Sequence, residues 1–357
     1  AQNSNSAKTQ EIKVAIDLNT IQDDKLMVTV FATPSNLDTV TFQIPKTVPG
    51  TYSLDNYGKY IENLKAYDTK GKELVATKMG ENSWQIANAK KLQKVTYWVN
   101  DTYDIETGGG GFGGGDVFSP AGTNIAPDNV MLNTHGFIGY FSDKLEVPYT
   151  TTITHPATLF GATAMVDNDP STTQDVFKSF RYADLVEHPI MYAKPDYTTF
   201  MVDDMQIIIS IYSPNGTHKV SDIAPEMEKI MRAQKKFLGK LNNTKKYAVL
   251  LYLSDMQKAD AKGFGALEHP TSTTVVMPEM MPNEALLEQL KDVVSHEFFH
   301  IVTPLGVHAK EIQYFDFNAP KMSKHLWMYE GVTEYFANLF QINQGLISEE
   351  DFYGRMS

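Results

Sequence analysis

The sequence predicts a multidomain α+β protein in which an N-terminal antiparallel β-sandwich precedes a domain of mixed helices and strands. Two observations support this fold class. From residue 11 to about residue 215, apolar residues recur at every second position, in short runs separated by Gly, Pro, Asn and Asp. After residue 215 the spacing becomes that of long amphipathic helices. A chain of 357 residues with 42% hydrophobic content is long enough for two or three domains with substantial cores.

Residues 1–10 are predicted to be a disordered leader. They are polar, and they begin with Ala1 rather than with an initiator methionine. Such a start remains after removal of a signal peptide, although an engineered start would look the same. We therefore expect an exported protein of the bacterial envelope, either periplasmic or secreted.

Residues 11–215 are predicted to form the β-sandwich domain. Short alternating runs divided by turn-forming residues are typical of antiparallel sandwiches. One short helix is expected between Leu54 and Leu64. The stretch Gly108–Gly115 lacks the Lys-Ser/Thr of a phosphate-binding loop, so we interpret it as a surface loop, with a substrate-gating flap as the alternative. The clearest alternating runs are Ile12–Leu18, Val28–Val30, Val40–Ile44, Val95–Val99 and Ile207–Ile211.

Residues 216–357 are predicted to form the second domain. An amphipathic helix is expected over Ser221–Leu241, followed by one strand over Lys246–Leu253 and another within Gly263–Met277. A second helix is expected to begin with Asn283 as its cap and to end before Pro304.

The second of these helices carries the pattern His296-Glu-Phe-Phe-His300. Residues four apart on an α-helix share one face, about 6 Å apart along the axis, so both imidazoles can bind one zinc ion. Glu297 is about 100° round the helix, where its carboxylate can act as general base on a water held by the metal. The chain contains no cysteine, so only His, Asp and Glu can complete a zinc site.

A further helix is expected over Ser323–Phe340, with Ser323 as its cap. Glu330 and Glu334 are one turn apart in it, and buried carboxylates need partners. A zinc ion would supply one partner, and the outer N–H of a ligating imidazole would supply the other. The apolar residues that predict a largely buried helix are Leu326, Trp327, Tyr335, Phe336 and Leu339.

Several motifs resemble a known family. His296–His300, together with Leu326-Trp-Met-Tyr-Glu-Gly-Val-Thr-Glu-Tyr335, looks like the glutamate-zinc peptidases related to thermolysin. Within that group, Ile44-Pro-Lys-Thr-Val-Pro-Gly-Thr-Tyr-Ser53 and Gly265-Ala-Leu-Glu-His269 are similar to motifs of the glycyl aminopeptidase family. The order of sandwich and peptidase domain agrees, and the resemblance covers nearly the whole chain.

The resemblance implies a thermolysin-like α/β zinc-peptidase domain with a defined set of site residues. Its zinc ligands would be His296, His300 and Glu330. Glu297 would be the general base, and Glu334 would orient a ligating histidine. The cofactor implied is therefore one Zn²⁺ ion, with an open position for water.

The resemblance also implies the reaction, which is removal of N-terminal residues, Gly or Ala, from peptides by a zinc-activated water. Glu268 would bind the free α-amino group of the peptide. Two departures from the family pattern stand out. The segment Ile301–Gly306 differs from the Trp-Asn usual after the second histidine, and the later region of the family is absent. We therefore expect a C-terminally truncated chain with an incomplete peptidase domain.

Charge and hydropathy argue against two classes of partner, and the resemblance implies a peptide substrate. A formal charge of −12 without a Lys/Arg cluster argues against nucleic acid, and the apolar runs are too short to span a bilayer. A zinc endopeptidase and a catalytically weak, peptidase-like binding module are the alternative functions. Four residues near the site could contact substrate, although structural roles are favoured: His308, His325, Tyr314 and Tyr329.

Overall fold

The structure, a computed structural model, describes residues 10–104, 117–240, 244–304 and 306–356. The expectations about residues 1–9 of the leader and about the Gly108–Gly115 loop lie outside these ranges. Within them, no helix is both long enough and apolar enough to cross a membrane.

The N-terminal domain is a β-sandwich, as predicted. Alternate residues of its two sheets, such as Val14, Val28 and Phe42, are buried in one hydrophobic core. The larger sheet has the strand order Gln174–Ser179, Tyr149–Thr154, Ile12–Asp17, Lys25–Phe31, Leu92–Asn100, Ile61–Asp68 and Glu73–Leu74. The smaller sheet has the order Tyr140–Phe141, Thr39–Gln43, Ser83–Ala87 and Ala76–Gly80.

Strand pairing in the larger sheet departs from the antiparallel prediction at one ladder. Ile12–Asp17 pairs in parallel with Tyr149–Thr154, whereas the other described pairs of this sheet are antiparallel. The alternating pattern does not report strand direction, because both kinds of strand can place every second side chain in the core.

A third sheet lies where the sandwich meets the C-terminal half. Its strand order is Phe160–Ala162, Ile190–Ala193, Asn129–Leu132 and Asn124–Ala126. Met131 and Met191 of this sheet share a hydrophobic core with Leu250 and Val276. The two halves of the chain are therefore packed against each other through a buried apolar interface.

The C-terminal half is built on a mixed five-stranded sheet. Its strand order is Tyr197–Val202, Met205–Tyr212, Lys246–Ser254, Ser272–Pro278 and Gly265–His269. The first two strands precede residue 215, yet Met205–Tyr212 pairs in parallel with Lys246–Ser254. A period of two identifies a strand but not the sheet to which it belongs. We therefore propose that the domain boundary lies between Ala193 and Tyr197.

Helices pack on one face of this sheet. Val220–Leu238 and Asn283–Phe299 bury Met227, Leu290 and other apolar residues against the strands. Asn283 is the first helical residue rather than the cap, which is Pro282. The other helices are Lys310–Gln313, Thr333–Asn343 and Glu349–Met356, and the sandwich carries Thr134–Phe137 and Tyr182–Val186. Short 3₁₀ turns span Leu18–Thr20, Tyr57–Tyr60, Ala89–Lys91 and Ser119–Ala121.

Two local predictions differ from the structure. The helix expected between Leu54 and Leu64 is a single 3₁₀ turn, Tyr57–Tyr60, followed at once by strand Ile61–Asp68. The helix expected over Ser323–Phe340 contains a π-helical segment, Trp327–Val332.

The helix expected over Ser323–Phe340 is also less buried than predicted. Trp327 is 70% exposed, and Leu326, Tyr335 and Phe336 are exposed as well. The helix packs through its other side, which includes Ala337 and Phe340, against the helices Asn283–Phe299 and Val220–Leu238. An apolar sequence alone could not show which side faces a neighbour.

Candidate active site

The His296-Glu-Phe-Phe-His300 pattern lies at the end of the helix Asn283–Phe299. Buried Leu290, Val294 and Phe298 fix this helix against the sheet. His300 follows the last helical residue but keeps helical backbone angles, with φ −61° and ψ −19°. The two imidazole rings therefore lie on one face, with centroids 4.9 Å apart.

The third predicted ligand, Glu330, faces these two rings from the π-helical segment. Its Oε2 atom lies 3.3 Å from Nε2 of His296 and 3.8 Å from Nε2 of His300. Donor atoms of a tetrahedral zinc site are about 3.4 Å apart, given bonds of about 2.1 Å. The three ligand atoms all lie within 4.8 Å of one another. This set of two nitrogens and one oxygen fits a zinc ion.

Hydrogen bonds on the outer nitrogens orient both imidazoles. Nδ1 of His296 donates to Oε2 of Glu334 at 2.7 Å, and Nδ1 of His300 donates to the carbonyl of Thr303 at 3.0 Å. With Nδ1 protonated, each ring keeps its Nε2 lone pair for a metal. The sequence predicted the Glu334 partner but not Thr303.

Charge and burial shift the pKa values of the two histidines in opposite directions. Burial lowers the pKa of His300 to about 4. Burial also opposes charge on His296, but hydrogen bonds with Glu330 and Glu334 outweigh it and raise its pKa to about 10. The pKa of Glu330 is lowered, because hydrogen bonds from His296 and Tyr52 outweigh burial.

Glu297 is buried beside the three ligand atoms. Its Oε2 atom has no hydrogen-bond partner among the described residues, and burial raises the pKa of the carboxyl group. Glu268, Glu297 and His300 each offer an atom to a second cluster within 4.8 Å. The structure thus brings Glu268, which is distant in sequence, next to the predicted base.

Glu268 lies on the edge strand Gly265–His269 of the five-stranded sheet. Among the described residues, this strand pairs only with Ser272–Pro278, so its other edge has no neighbouring strand. Burial and the negative charges of Glu297 and Glu330 raise the pKa of Glu268 well above its usual range. A cationic group bound here would relieve both effects.

A pocket of about 400 Å³ opens beside Glu268, between the sandwich and the C-terminal half. Its wall is mostly apolar. Residues that line it include Pro49, Ala183, Pro270, Phe315, Phe317 and Leu326. The pocket can therefore hold an apolar side chain next to a carboxylate.

Tyr52 is a site residue that the sequence analysis missed. Its hydroxyl donates to Oε1 of Glu330 at 2.5 Å, across the domain interface. Gly50 of the same loop is so close to Glu268 that an added Cβ would lie 2.9 Å from both carboxylate oxygens. The signal was present in the Ile44–Ser53 motif, but a motif does not show which residue of a distant domain it contacts.

Two of the four flanking candidates, His308 and Tyr329, line the pocket beside Glu268, and both are held by hydrogen bonds. Both ring nitrogens of His308 are engaged, with the Pro304 carbonyl at 2.7 Å and Gln313 Oε1 at 2.5 Å. The hydroxyl of Tyr329 accepts from the backbone N–H of Ala309 at 3.0 Å. Tyr314 and His325 are exposed. Among the described contacts, none joins these residues to the histidine–glutamate cluster.

Two family models match the chain. One, described as the Peptidase M61 N-terminal domain, covers residues 13–194, which is just over half of the chain. The other, described as M61 glycyl aminopeptidase, covers residues 289–357. No curated protein sequence matches the chain.

Solved structures show a similar fold at low sequence identity. An aminopeptidase N family protein from Idiomarina loihiensis matches with a TM-score of 0.78 and 19% identity, over 96% of this chain and 56% of that protein. A mutant of the M1 zinc metallopeptidase from Deinococcus radiodurans, bound to the substrate Tyr-Ser-Ala, matches with a TM-score of 0.50 and 14% identity. That match covers 94% of this chain and 71% of the other. The chain thus spans little more than half the length of the Idiomarina protein.

Proposed function

This chain belongs to the M61 peptidase family, and we propose that it is a zinc-dependent aminopeptidase that removes N-terminal residues from peptides. One observation carries the proposal: the donor atoms of His296, His300 and Glu330 converge beside two further carboxylates, Glu297 and Glu268. A histidine–glutamate donor set suits zinc, and three protein ligands would leave Glu297 and Glu268 for other roles.

The three ligands would hold zinc, which when bound polarises a peptide carbonyl and lowers the pKa of water. Glu297 would take a proton from the attacking water and deliver it to the leaving amine. Its Oε2 atom has no hydrogen-bond partner in the part of the chain that the structure describes, which supports this role because a general base needs an unoccupied acceptor. Glu334 and the Thr303 carbonyl would hold the two imidazoles in the required orientation.

Glu268 would bind the α-ammonium group of the substrate. It lies on an edge strand, where an extended peptide could add as a further strand. A carboxylate oxygen of Glu268 lies within 4.8 Å of one of Glu297. An ammonium group bound to Glu268 would therefore be separated by only one residue from a peptide bond that is cut beside Glu297. This distance favours an aminopeptidase over an endopeptidase.

The family description names glycyl substrates, and we propose Gly or Ala as accepted first residues. The pocket beside Glu268 is larger than these residues need. We therefore also expect apolar residues of greater size to be accepted, with their side chains in the pocket.

The test is peptide hydrolysis by the metal-free, zinc-loaded and zinc-reloaded protein, with products identified by mass spectrometry. We expect hydrolysis only with zinc, and products shortened by one N-terminal residue. Internal fragments would favour the endopeptidase alternative. Bound zinc without any product would favour the binding-module alternative.

A further inference from the structure

Tyr52 has a backbone conformation that tyrosine rarely adopts. Its φ angle is 53°, in the left-handed region. Seven described non-glycine residues have positive φ, and the other six are Asp or Asn, which tolerate this region best. A left-handed tyrosine persists only where its surroundings impose it, and such residues concentrate at functional sites.

The loop that carries Tyr52 is held in place from both sides. The hydroxyl of Thr47 donates to the carbonyl of Ser53 at 2.6 Å, which closes the loop on itself. The backbone N–H groups of Lys46 and Thr47 donate to the carbonyl of Phe317, at 2.9 and 3.2 Å. Phe317 belongs to the C-terminal half but is buried in the core of the sandwich. The loop is thus fixed relative to both domains.

This fixed loop directs the Tyr52 hydroxyl at one oxygen of Glu330. The O–H···O distance to Oε1 is 2.5 Å, typical of a charge-assisted hydrogen bond to a carboxylate. The other oxygen, Oε2, is the one that approaches His296 and His300. The two oxygens of Glu330 therefore have separate partners.

We propose that Tyr52 is a positioning residue of the metal site. By holding Oε1 of Glu330, it turns Oε2 toward the two histidines and limits this carboxylate to one-oxygen coordination. The N-terminal domain thereby completes a metal centre whose ligands all lie in the C-terminal half. This inference rests on the proposed function, since it assumes that the three ligands hold zinc.

The first test is the zinc affinity of Tyr52→Phe, measured by competition with a chromophoric chelator. Groups that orient metal ligands typically change affinity 10-fold to 100-fold, so we expect a loss in this range. The absorption spectrum of the Co²⁺-loaded variant should also change, because Glu330 would be free to bind through both oxygens. The matched control is Tyr335→Phe, a tyrosine 46% exposed beside Glu334, which should change neither quantity.

The second test separates this role from a purely structural one. Tyr52→Asn places a residue that tolerates positive φ at the same position and removes the hydroxyl. We expect the metal-free variant to melt at the same or a higher temperature than wild type, while its zinc affinity falls. A structural role for Tyr52 predicts the reverse, a lower melting temperature with unchanged zinc affinity.

The outcomes distinguish the two proposals. Wild-type protein that binds zinc, together with a Tyr52→Phe variant of equal affinity and identical cobalt spectrum, would overturn the inference alone. Wild-type protein that binds no zinc would overturn the proposed function as well as the inference.

Discussion

Glu334 accepts a hydrogen bond of 2.7 Å from Nδ1 of His296, and Nε2 of the same ring lies 3.3 Å from Glu330. One imidazole thus links two carboxylates that are one turn apart in sequence. Glu334, which would not bind the metal, therefore sets the orientation of the ring and the nitrogen that the ring presents to a metal.

We expect Glu334→Ala to weaken zinc binding about 10-fold to 100-fold, because His296 loses the partner that fixes its tautomer and orientation. Chelator competition measures the effect directly. Glu350→Ala, which removes an exposed carboxylate from the last helix, serves as the control for net charge. Equal zinc affinity in the two variants would show that Glu334 does not support the metal site.

Glu330→Gln and Glu297→Gln should separate metal binding from catalysis. The first variant should lose most of its zinc, because it removes a charged ligand. The second should keep zinc and lose about 100-fold to 10,000-fold in kcat, the usual contribution of a general base. Elemental analysis and peptide hydrolysis on the same preparations measure both quantities. Full zinc occupancy in Glu330→Gln would reject Glu330 as a ligand.

Glu268→Gln should reduce discrimination between free and blocked amino termini. A half-buried ion pair at 4 Å, with an effective dielectric constant near 20, is worth up to about 4 kcal/mol, or roughly a thousandfold. The measurement compares kcat/KM for glycyl and acetyl-glycyl substrates in both proteins. If the wild-type protein hydrolyses glycyl and acetyl-glycyl substrates equally, Glu268 does not bind the ammonium group.

The pocket beside Glu268 predicts that leucyl substrates are hydrolysed at least as well as alanyl ones. Burying a leucine side chain in the pocket would contribute about 1.5–3 kcal/mol to substrate binding. Ala183→Phe should fill the pocket and reduce leucyl hydrolysis selectively, with glycyl hydrolysis retained. Rejection of leucyl substrates by wild type would mean that the pocket does not receive the first side chain.

Gly50→Ala should reduce activity as well as stability, because the added Cβ would lie against Glu268. Gly50 has φ +89°, and an added Cβ would meet Leu267 at 2.7 Å and both Glu268 oxygens at 2.9 Å. Gly71→Ala is a matched control, because Gly71 has φ +77° but no atom within 4 Å of an added Cβ. Both variants should lose about 1–2 kcal/mol of unfolding free energy from the backbone conformation.

Only Gly50→Ala should also lower kcat/KM, by displacing the Glu268 carboxylate. Thermal unfolding and steady-state kinetics of the two variants test this pair of expectations. If kcat/KM is similar in both variants, the close contact between Gly50 and Glu268 has no effect on catalysis.

Local pattern was sufficient for much of the fold. The period-two runs predicted strands such as Ile12–Asp17 and Lys25–Phe31, and the helical spacing predicted Val220–Leu238 and Asn283–Phe299. These elements follow their pattern because each buries one face in a core. The pattern was insufficient at Leu54–Leu64, where a 3₁₀ turn and a strand replace the expected helix.

For the site, local spacing was sufficient to place the two histidines on one helix face. His296 and His300 are four apart in an α-helix, and helical geometry places such residues on one face without help from the rest of the chain. Glu330 and Glu334 are also four apart, but Glu330 lies in a π-helical segment that the sequence did not predict. Contacts between residues of different helices, strands and loops depended on the tertiary structure. The side on which Glu334 meets His296, the approach of Gly50 to Glu268, and the bond from Tyr52 to Glu330 depend on how two domains pack. Tyr52 and Glu330 are 278 residues apart, a separation over which no local periodicity carries information.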